Sequence, residues 1–583
     1  MGGPIAFKQN LRLFEAITII VGSMIGSGIL LLPADMAEVL PSPGLILLVM
    51  LAGAFLTILG CLTFAELSSM FPRAGGQYHF LKEGQGRFMA YLFGWGQFWV
   101  IQTGIIAGVA VAFARFLSYF VEQGIPLGFT RLGGGGRMPG QAFELTKTID
   151  VGPCVETNLL GQCTRSLIHV DPVTVPAWGS AFVAIAVILL LALINGRSSG
   201  AGGRIQNIAT VAKVIGLIGL VAIVFALGDM HPDAYRAQGG NAFVPEGMGS
   251  GALLVAFGSA LSLSLFAFDG WPQATYVAGE VRNAKRNLPI ALIVGPLVTS
   301  LVYVALTSSY FFVLPIDQAV ALGVNDQRIA PEAAGAAATW GRDFISAVAL
   351  VSVFGTVNGF LLTAPRIYYA LARDGALLPS MGTLNRKQVP GWAIYFTAIW
   401  ASLLVMTGGY QQLATMVVFG IFLFYIPTSL AHMRLRKTHA HVPRPYKTPL
   451  YPLVPILFLL ASVFVVGIIY YKFLAQALVA TALILLGVPF YFLQRRSLDR
   501  AASEQAAEAA DEARTAQGAA PTATAAGAAP AGTAPATPAP ASGTEGTSSG
   551  PGDAGARGDR GGRAGRPAKA AKGTTKRTPR KPQ

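Results

Sequence analysis

Apolar runs of roughly 17–25 residues, the length a helix needs to cross the hydrocarbon of a bilayer, recur along the chain with polar or basic stretches between them. About twelve lie near 13–33, 43–70, 88–120, 177–195, 205–227, 250–278, 289–314, 343–372, 391–407, 412–433, 451–471 and 474–494. Two are interrupted. The first contains Val21-Gly-Ser-Met-Ile-Gly-Ser-Gly-Ile29, three glycines and two serines in nine residues, which are weak helix formers. Inside a bilayer, unwound backbone is tolerated only where it lines a cavity or is covered by protein. The stretch therefore predicts two half-helices meeting at a gap, with N–H groups on one side and carbonyls on the other. Such a gap suits a molecule carrying both a carboxylate and an ammonium. The plainer alternative is a packing notch made by Gly22 and Gly26. The sixth run is broken in the same way, by Asp269, Gly270 and Pro272 in Leu265-Phe-Ala-Phe-Asp-Gly-Trp-Pro272. A break recurring five spans later predicts two halves of five spans in opposite orientation, with a binding site between the breaks.

Composition agrees with a membrane chain. Of 583 residues, 53% are hydrophobic and 12% charged, and mean hydropathy is +0.54; soluble proteins carry about 25% charged residues. The first run ends in Gly-Ser-Gly-Ile, so no cleavable signal is expected. Lys and Arg gather in alternate loops: Lys8 and Arg12; Arg73, Lys82 and Arg87; Arg197 and Arg204; Arg282, Lys285 and Arg286; Arg386 and Lys387; Arg434, Arg436 and Lys437. By the positive-inside rule these face the cytoplasm, and with them both termini. The expected location is a plasma membrane, the inner membrane of a bacterium given the heavy use of Ala, Gly and Arg.

The organisation expected is a twelve-span domain over 1–494, with repeats at about 13–227 and 250–433 and extra helices over 451–494. An extracellular loop spans 121–175, and a disordered Ala/Pro/Gly-rich tail with a basic end spans 495–583. That tail is expected to lie near anionic lipid and not to serve nucleic acid. Cys154 and Cys163 bracket eight residues of the outer loop and are disulfide candidates, whereas Cys61 reads as a small buried apolar residue. No nucleophile motif or metal-ligand spacing is present; neither enzyme activity, a metal nor a cofactor is expected.

Several blocks carry a resemblance. They are Gly22-Ser-Met-Ile-Gly-Ser-Gly-Ile29, Phe64-Ala-Glu-Leu-Ser-Ser-Met-Phe-Pro-Arg-Ala-Gly-Gly-Gln-Tyr78, Phe266-Ala-Phe-Asp-Gly-Trp271 with Gly279-Glu-Val-Arg-Asn-Ala-Lys-Arg-Asn-Leu-Pro289, Phe354-Gly-Thr-Val-Asn-Gly359, Ala364-Pro-Arg-Ile-Tyr-Tyr-Ala-Leu-Ala-Arg-Asp-Gly375 and Arg444-Pro-Tyr-Lys-Thr-Pro449. In this order, over about 14–492, the chain resembles amino-acid permeases of the amino acid–polyamine–organocation superfamily, nearest the L-type amino acid transporter branch. The resemblance implies an all-α fold of two inverted five-span repeats plus two extra spans, working by alternating access. It implies a substrate between broken spans one and six, with Ile25, Gly26, Ser27 and Gly28 around the amino-acid backbone. N–H groups at Ser27 to Ile29 suit its carboxylate; carbonyls near Ser23, Phe266, Ala267 and Phe268 receive its ammonium. Phe266 resembles an aromatic gate, and Asn358 is expected in the pocket wall. Relatives in animals pair with a glycoprotein through a cysteine of the outer loop; here the two cysteines are close enough to pair with each other, and no such partner is expected.

Two ionisable residues lie deep in spans. Lys213 either snorkels to the interface or, as the resemblance implies, holds its ammonium where sodium-coupled relatives bind sodium. Asp269 caps the second half of span six, contacts a cationic substrate side chain, or takes a proton. The reading is sodium-independent amino-acid transport, by exchange or with protons. The rivals are a polyamine or cationic-amine carrier and an amino-acid sensor on a transporter fold.

Overall fold

The computed structural model describes residues 7, 9–122, 143–144, 149–157, 163–170, 174–175, 178–239, 243–325, 329–406 and 410–518. Among these, eleven helices are long and apolar enough to cross a membrane, and Gly391–Val405 is a shorter apolar helix between the eighth and the next of them. In chain order the spans are Leu13–Met24 continued by Gly28–Val39, Pro43–Met70, Arg87–Glu122, Trp178–Arg197 and Ser199–Leu227. Span six is Ser250–Ala267 continued by Gln273–Tyr276, and span seven is Ala284–Val313. Then come Gly341–Thr363 continued by Pro365–Arg373, Gly391–Val405, Tyr410–Thr438, Leu453–Lys472, and a last span that begins at Leu474–Leu485 and runs on through Gly487–Gly518. Residues 495–518 are thus helical; within the tail assigned from 495, the sequence allows a short Ala- and Glu-rich helix over 500–517. The run from Ala501 to Ala516 is rich in Ala and Glu, strong helix formers that let the last span continue beyond its apolar part. The rest of the tail lies outside the described residues.

The membrane bundle is all-α, and the loop over 121–175 adds short strand pairs. Phe143–Glu144 pairs antiparallel with Thr174–Val175, and Ile149–Thr157 with Cys163–Val170. Ile149-Asp-Val151 and Ile168-His-Val170, which pair with each other, alternate β-branched and polar residues, as strands favour. Their register sets Cys154 opposite Ser166 and Cys163 opposite Thr157; the cysteine side chains, and so the disulfide, lie outside what is described.

The two broken spans lie side by side. Leu13–Met24 packs on Gln273–Tyr276, while Gly28–Val39 packs on Ser250–Ala267. Each first half meets the other's second half, so the spans run antiparallel. Two glycines allow the approach. A Cβ on Gly28 would stand 2.8 Å from Ala267 Cα. Gly270 has φ +109°, and a Cβ there would stand 2.7 Å from the Ser23 carbonyl carbon; an L side chain is strained in that conformation and has no room. The second and seventh spans pack together, as do the fifth and eighth, and enclose the pair. Outward faces of the bundle stay apolar: Ile208, Ile215 and Leu301 are each about two-thirds exposed or more (71%, 66% and 73%), a cost in water but the ordinary state against lipid.

Candidate functional site

The first span unwinds over Ile25, Gly26 and Ser27, and the sixth between Ala267 and Gln273. Each break takes backbone groups out of the regular helical ladder. In span one the first N–H groups of the half-helix opening at Gly28 face the break, at the positive end of a helix dipole. The carbonyls ending the preceding half-helix meet Lys213. Its ammonium is fully buried and donates to Gly22 O at 2.8 Å, Ile25 O at 2.6 Å, Ser352 O at 2.9 Å and Thr356 Oγ1 at 3.0 Å. Four oxygens thus share three N–H groups. This arrangement replaces the snorkelling alternative, since the side chain points into the bundle. Thr356 Oγ1 and Ser352 Oγ lie 3.0 Å and 3.1 Å from the same Ile25 carbonyl. Three spans, one, five and eight, therefore converge on one cation.

Tyr303 ties the two breaks together from span seven. Its hydroxyl lies 2.5 Å from Met24 O and 3.0 Å from Ala267 O, and its single proton serves one of them at a time. Phe268 packs on this tyrosine at a tilt, with ring centroids 5.0 Å apart and planes 58° from parallel.

A tight cleft opens between the breaks. Ser23, Gly26, Ser27, Gly28, Phe266 and Ala267 line it, joined by Asp269. Its space is about 20 Å³, the room of roughly one water molecule, so an amino acid fits only once the breaks move apart. Ser23 Oγ lines the cleft with no hydrogen-bond partner among the described residues. Of the carbonyls expected to take an ammonium, Phe266 O accepts the Asp269 N–H at 3.1 Å and Ala267 O faces the Tyr303 hydroxyl.

The structure sets four expected residues apart from the cleft lining. Phe268 is buried against Tyr303. Ile29 is buried in the second half-helix. Ile25 offers its carbonyl to Lys213 rather than to the cleft. Asn358 faces away altogether: its amide donates to Gly202 O and Gln206 Oε1, both at 3.0 Å, and its oxygen accepts from Asn195 at 2.8 Å. The reason is helical spacing. Ser352, Thr356 and Phe360 follow one another at i, i+4, i+8 and share a face; Asn358, two residues on, points about 200° round the axis. Thr356 and Phe360 line the cleft in its place, with Ile105 and Val109 of span three. Thr356 sits inside a quoted motif, and its four-residue step from Ser352 was a signal available in the sequence. Ile105 and Val109 carry none.

Asp269 stands at a junction. It lines the cleft and also a second small cavity walled by Gln77, Gln97, Gln102, Gln273, Tyr276 and Tyr425. A π-helical turn over Gln97–Ile101, a distortion frequent at functional sites, brings Gln97 and Gln102 to this wall. The capping role does not describe Asp269, because the Gln273–Tyr276 helix starts at Pro272 with no side-chain cap.

Beyond the breaks, buried ion pairs fasten one end of the bundle. Glu280 pairs with Arg366 at 2.8 Å, both side chains buried, while Arg282 Nε donates to Gln9 O at 2.9 Å. Glu66 accepts both Arg436 nitrogens, at 2.8 and 2.5 Å, and the Thr448 N–H at 2.8 Å.

Comparison with known proteins places this architecture. The chain is 30% identical over 501 residues to the b(0,+)-type amino acid transporter 1 of Homo sapiens, across 84% of this chain and 88% of that one. It is 28% identical over 474 residues to the serine/threonine exchanger SteT of Bacillus subtilis (strain 168), across 79% and 91%. With the large neutral amino acids transporter small subunit 2 of Homo sapiens it shares 28% identity over 508 residues, across 84% and 81%. The family model described as amino acid permease matches residues 11–489, a stretch that holds both unwound spans, Lys213 and the cleft between them, and the chain belongs to the amino acid permease family.

Proposed function

We propose that this permease carries amino acids across the plasma membrane by alternating access, independently of sodium, and by exchange in preference to proton symport. The observation that carries this is Lys213. Its surroundings are oxygen acceptors only, two of them carbonyls of the unwound first span. A permanent ammonium there supplies the positive charge that a bound sodium ion would otherwise bring. An acceptor-only shell suits the charged form and argues for a fixed charge over a travelling proton. The substrate's carboxylate takes the N–H groups at Ser27 to Ile29, its ammonium turns to the carbonyls of Phe266 and Ala267 at the sixth-span break, and Phe266 closes over it.

Substrate range follows from Asp269. A carboxylate beside the cleft, with a glutamine-lined cavity behind it, supports cationic as well as neutral side chains. The relatives' names, which include a b(0,+)-type transporter, a serine/threonine exchanger and a large neutral amino acids transporter, span that choice. Both termini are taken as cytoplasmic on the Lys/Arg distribution, and the chain is taken to work without a glycoprotein partner.

Counterflow in proteoliposomes tests the reading. Vesicles loaded with one unlabelled amino acid at a time are followed for entry of labelled leucine, serine and arginine in sodium-free medium. Saturable accumulation driven only by internal amino acid is expected. Uptake that rises with an imposed sodium gradient, or that competes with polyamines but not with amino acids, overturns it.

A further inference from the structure

Away from the transport cleft, a larger open cleft lies where span four ends and span nine begins. Its volume is about 650 Å³, and Arg197, Arg386, Lys387, Trp392 and Tyr395 line it together with Asn385. We propose that this cleft is a binding site for the head group of an anionic phospholipid.

Its charge is of one sign. Arg197, Arg386 and Lys387 are exposed, and among the described residues none of the three has a carboxylate partner, the ion pairs there involving other cations. Among the described residues, no acidic side chain lines the cleft. Three cations gathered without a counter-charge favour an anion delivered from outside.

The cleft is also held in shape. Asn385 donates to Gly196 O at 2.8 Å, which fastens the loop to the end of span four. The same side chain accepts the N–H groups of Lys387 at 2.9 Å and Val389 at 3.1 Å. One asparagine thus sets the loop that carries Arg386 and Lys387 against the helix end that carries Arg197.

Two features select a lipid over a free phosphate ion. First, the cleft sits at the ends of membrane spans, Trp178–Arg197 and Gly391–Val405, which pack on each other. Trp392 is 57% exposed at its rim, the amphipathic ring that membrane interfaces collect. Second, an apolar track leads away from it. Leu193 is one turn back from Arg197, with Leu189 and Leu190 beyond; Ile399 and Leu403 lie two and three turns on from Trp392. All five are exposed. A head group in the basic cleft leaves its acyl chains along this track.

Native mass spectrometry of the full-length protein in detergent, titrated with phosphatidylglycerol or phosphatidylcholine, tests the site. The expected result is a saturable adduct favouring phosphatidylglycerol by about tenfold or more, as three basic residues at such a surface favour an anionic head group. The variant R197Q/R386Q/K387Q is expected to lose that preference while keeping its melting temperature and amino-acid counterflow. Because the basic tail is present in both proteins, the difference between them reads the cleft alone. A second variant, Asn385→Ala, releases the loop while leaving all three charges and is expected to weaken the adduct several-fold. Equal retention of both lipids, or unchanged phosphatidylglycerol binding in the triple variant, overturns the proposal. So does displacement of the adduct by millimolar inorganic phosphate, which would make the cleft a phosphate site.

Discussion

Replacing Lys213 with alanine removes the cation on which three spans converge. Its nitrogen sits 2.6–2.9 Å from three carbonyl oxygens and 3.0 Å from a hydroxyl. Some of these oxygens have substitutes: Thr356 Oγ1 reaches Gly22 O at 3.1 Å, and Ser352 Oγ reaches Ile25 O at 3.1 Å. About two charge-assisted bonds are lost without replacement, at roughly 1.5–3 kcal/mol each. Against this, alanine is spared the several kcal/mol that burying an ammonium costs. Taking the bonds at the upper end, about 6 kcal/mol in all, and the spared burial as about 3 kcal/mol, the net loss of order in the first break is on the order of 3 kcal/mol, or about a hundredfold in the population of the ordered break. Two measurements read it. Leucine counterflow in potassium-only medium is expected to fall about a hundredfold, and hydrogen exchange of amides over 21–29 is expected to quicken while that of the outer spans holds. In the variant, adding sodium is expected to recover part of the activity, because the vacated oxygens suit a hard cation. Transport within about threefold of the parent protein, with unchanged exchange at the break, would refute the claim that the ammonium holds it.

Other consequences are as direct. Asp269→Asn is expected to abolish arginine counterflow and leave leucine counterflow; an unchanged lysine-to-leucine preference would remove Asp269 from the substrate contact. Gly270→Ala forces a side chain into φ +109° against the Ser23 backbone, and a loss above about 2 kcal/mol in stability is expected, read as an earlier thermal unfolding in detergent. Glu280→Gln leaves the buried Arg366 without its counter-charge at a cost of about 3–5 kcal/mol, and the double replacement of both residues by leucine is expected to melt later than this single variant. His79 lies in the Gln77–Gln85 helix between spans, where burial lowers its pKa from 6.5 to about 4, although Asp374 pulls the other way. It is held neutral, so its share of stability is full above pH 6.5 and is lost as pH falls toward 4, by roughly 3 kcal/mol in all. The melting temperature of His79→Gln is expected to drop less over that window than the parent's.

Much of the site was legible because backbone breaks are written in composition. Glycine and serine clustered in an apolar run, and Asp-Gly-x-Pro in another, cannot continue a membrane helix without compensation, so both breaks could be located to within a residue or two. The buried position of Lys213 was one of two readings. What separated them was depth and direction, and the polar stripe Gln206, Thr210, Lys213, at helical spacing on span five, pointed inward. Asn358 shows the opposite. A polar residue in a motif was assigned to the wall by its chemistry, and only the angle around the helix decided that Thr356, two residues earlier, faces the cleft.

The sequence by itself determined the membrane class, the positions of the spans, the two interruptions and the basic loops, because each depends on local composition and on the length needed to cross hydrocarbon. The tertiary structure alone decided which groups meet. Lys213 and the Gly22 and Ile25 carbonyls lie nearly two hundred positions apart, Tyr303 reaches both breaks from a third span, and Asp269 stands between two cavities. Arg197 and Lys387 share a cleft only because spans four and nine pack together. Such meetings depend on crossing, depth and rotation of helices about their axes, which packing fixes and no single stretch of chain contains.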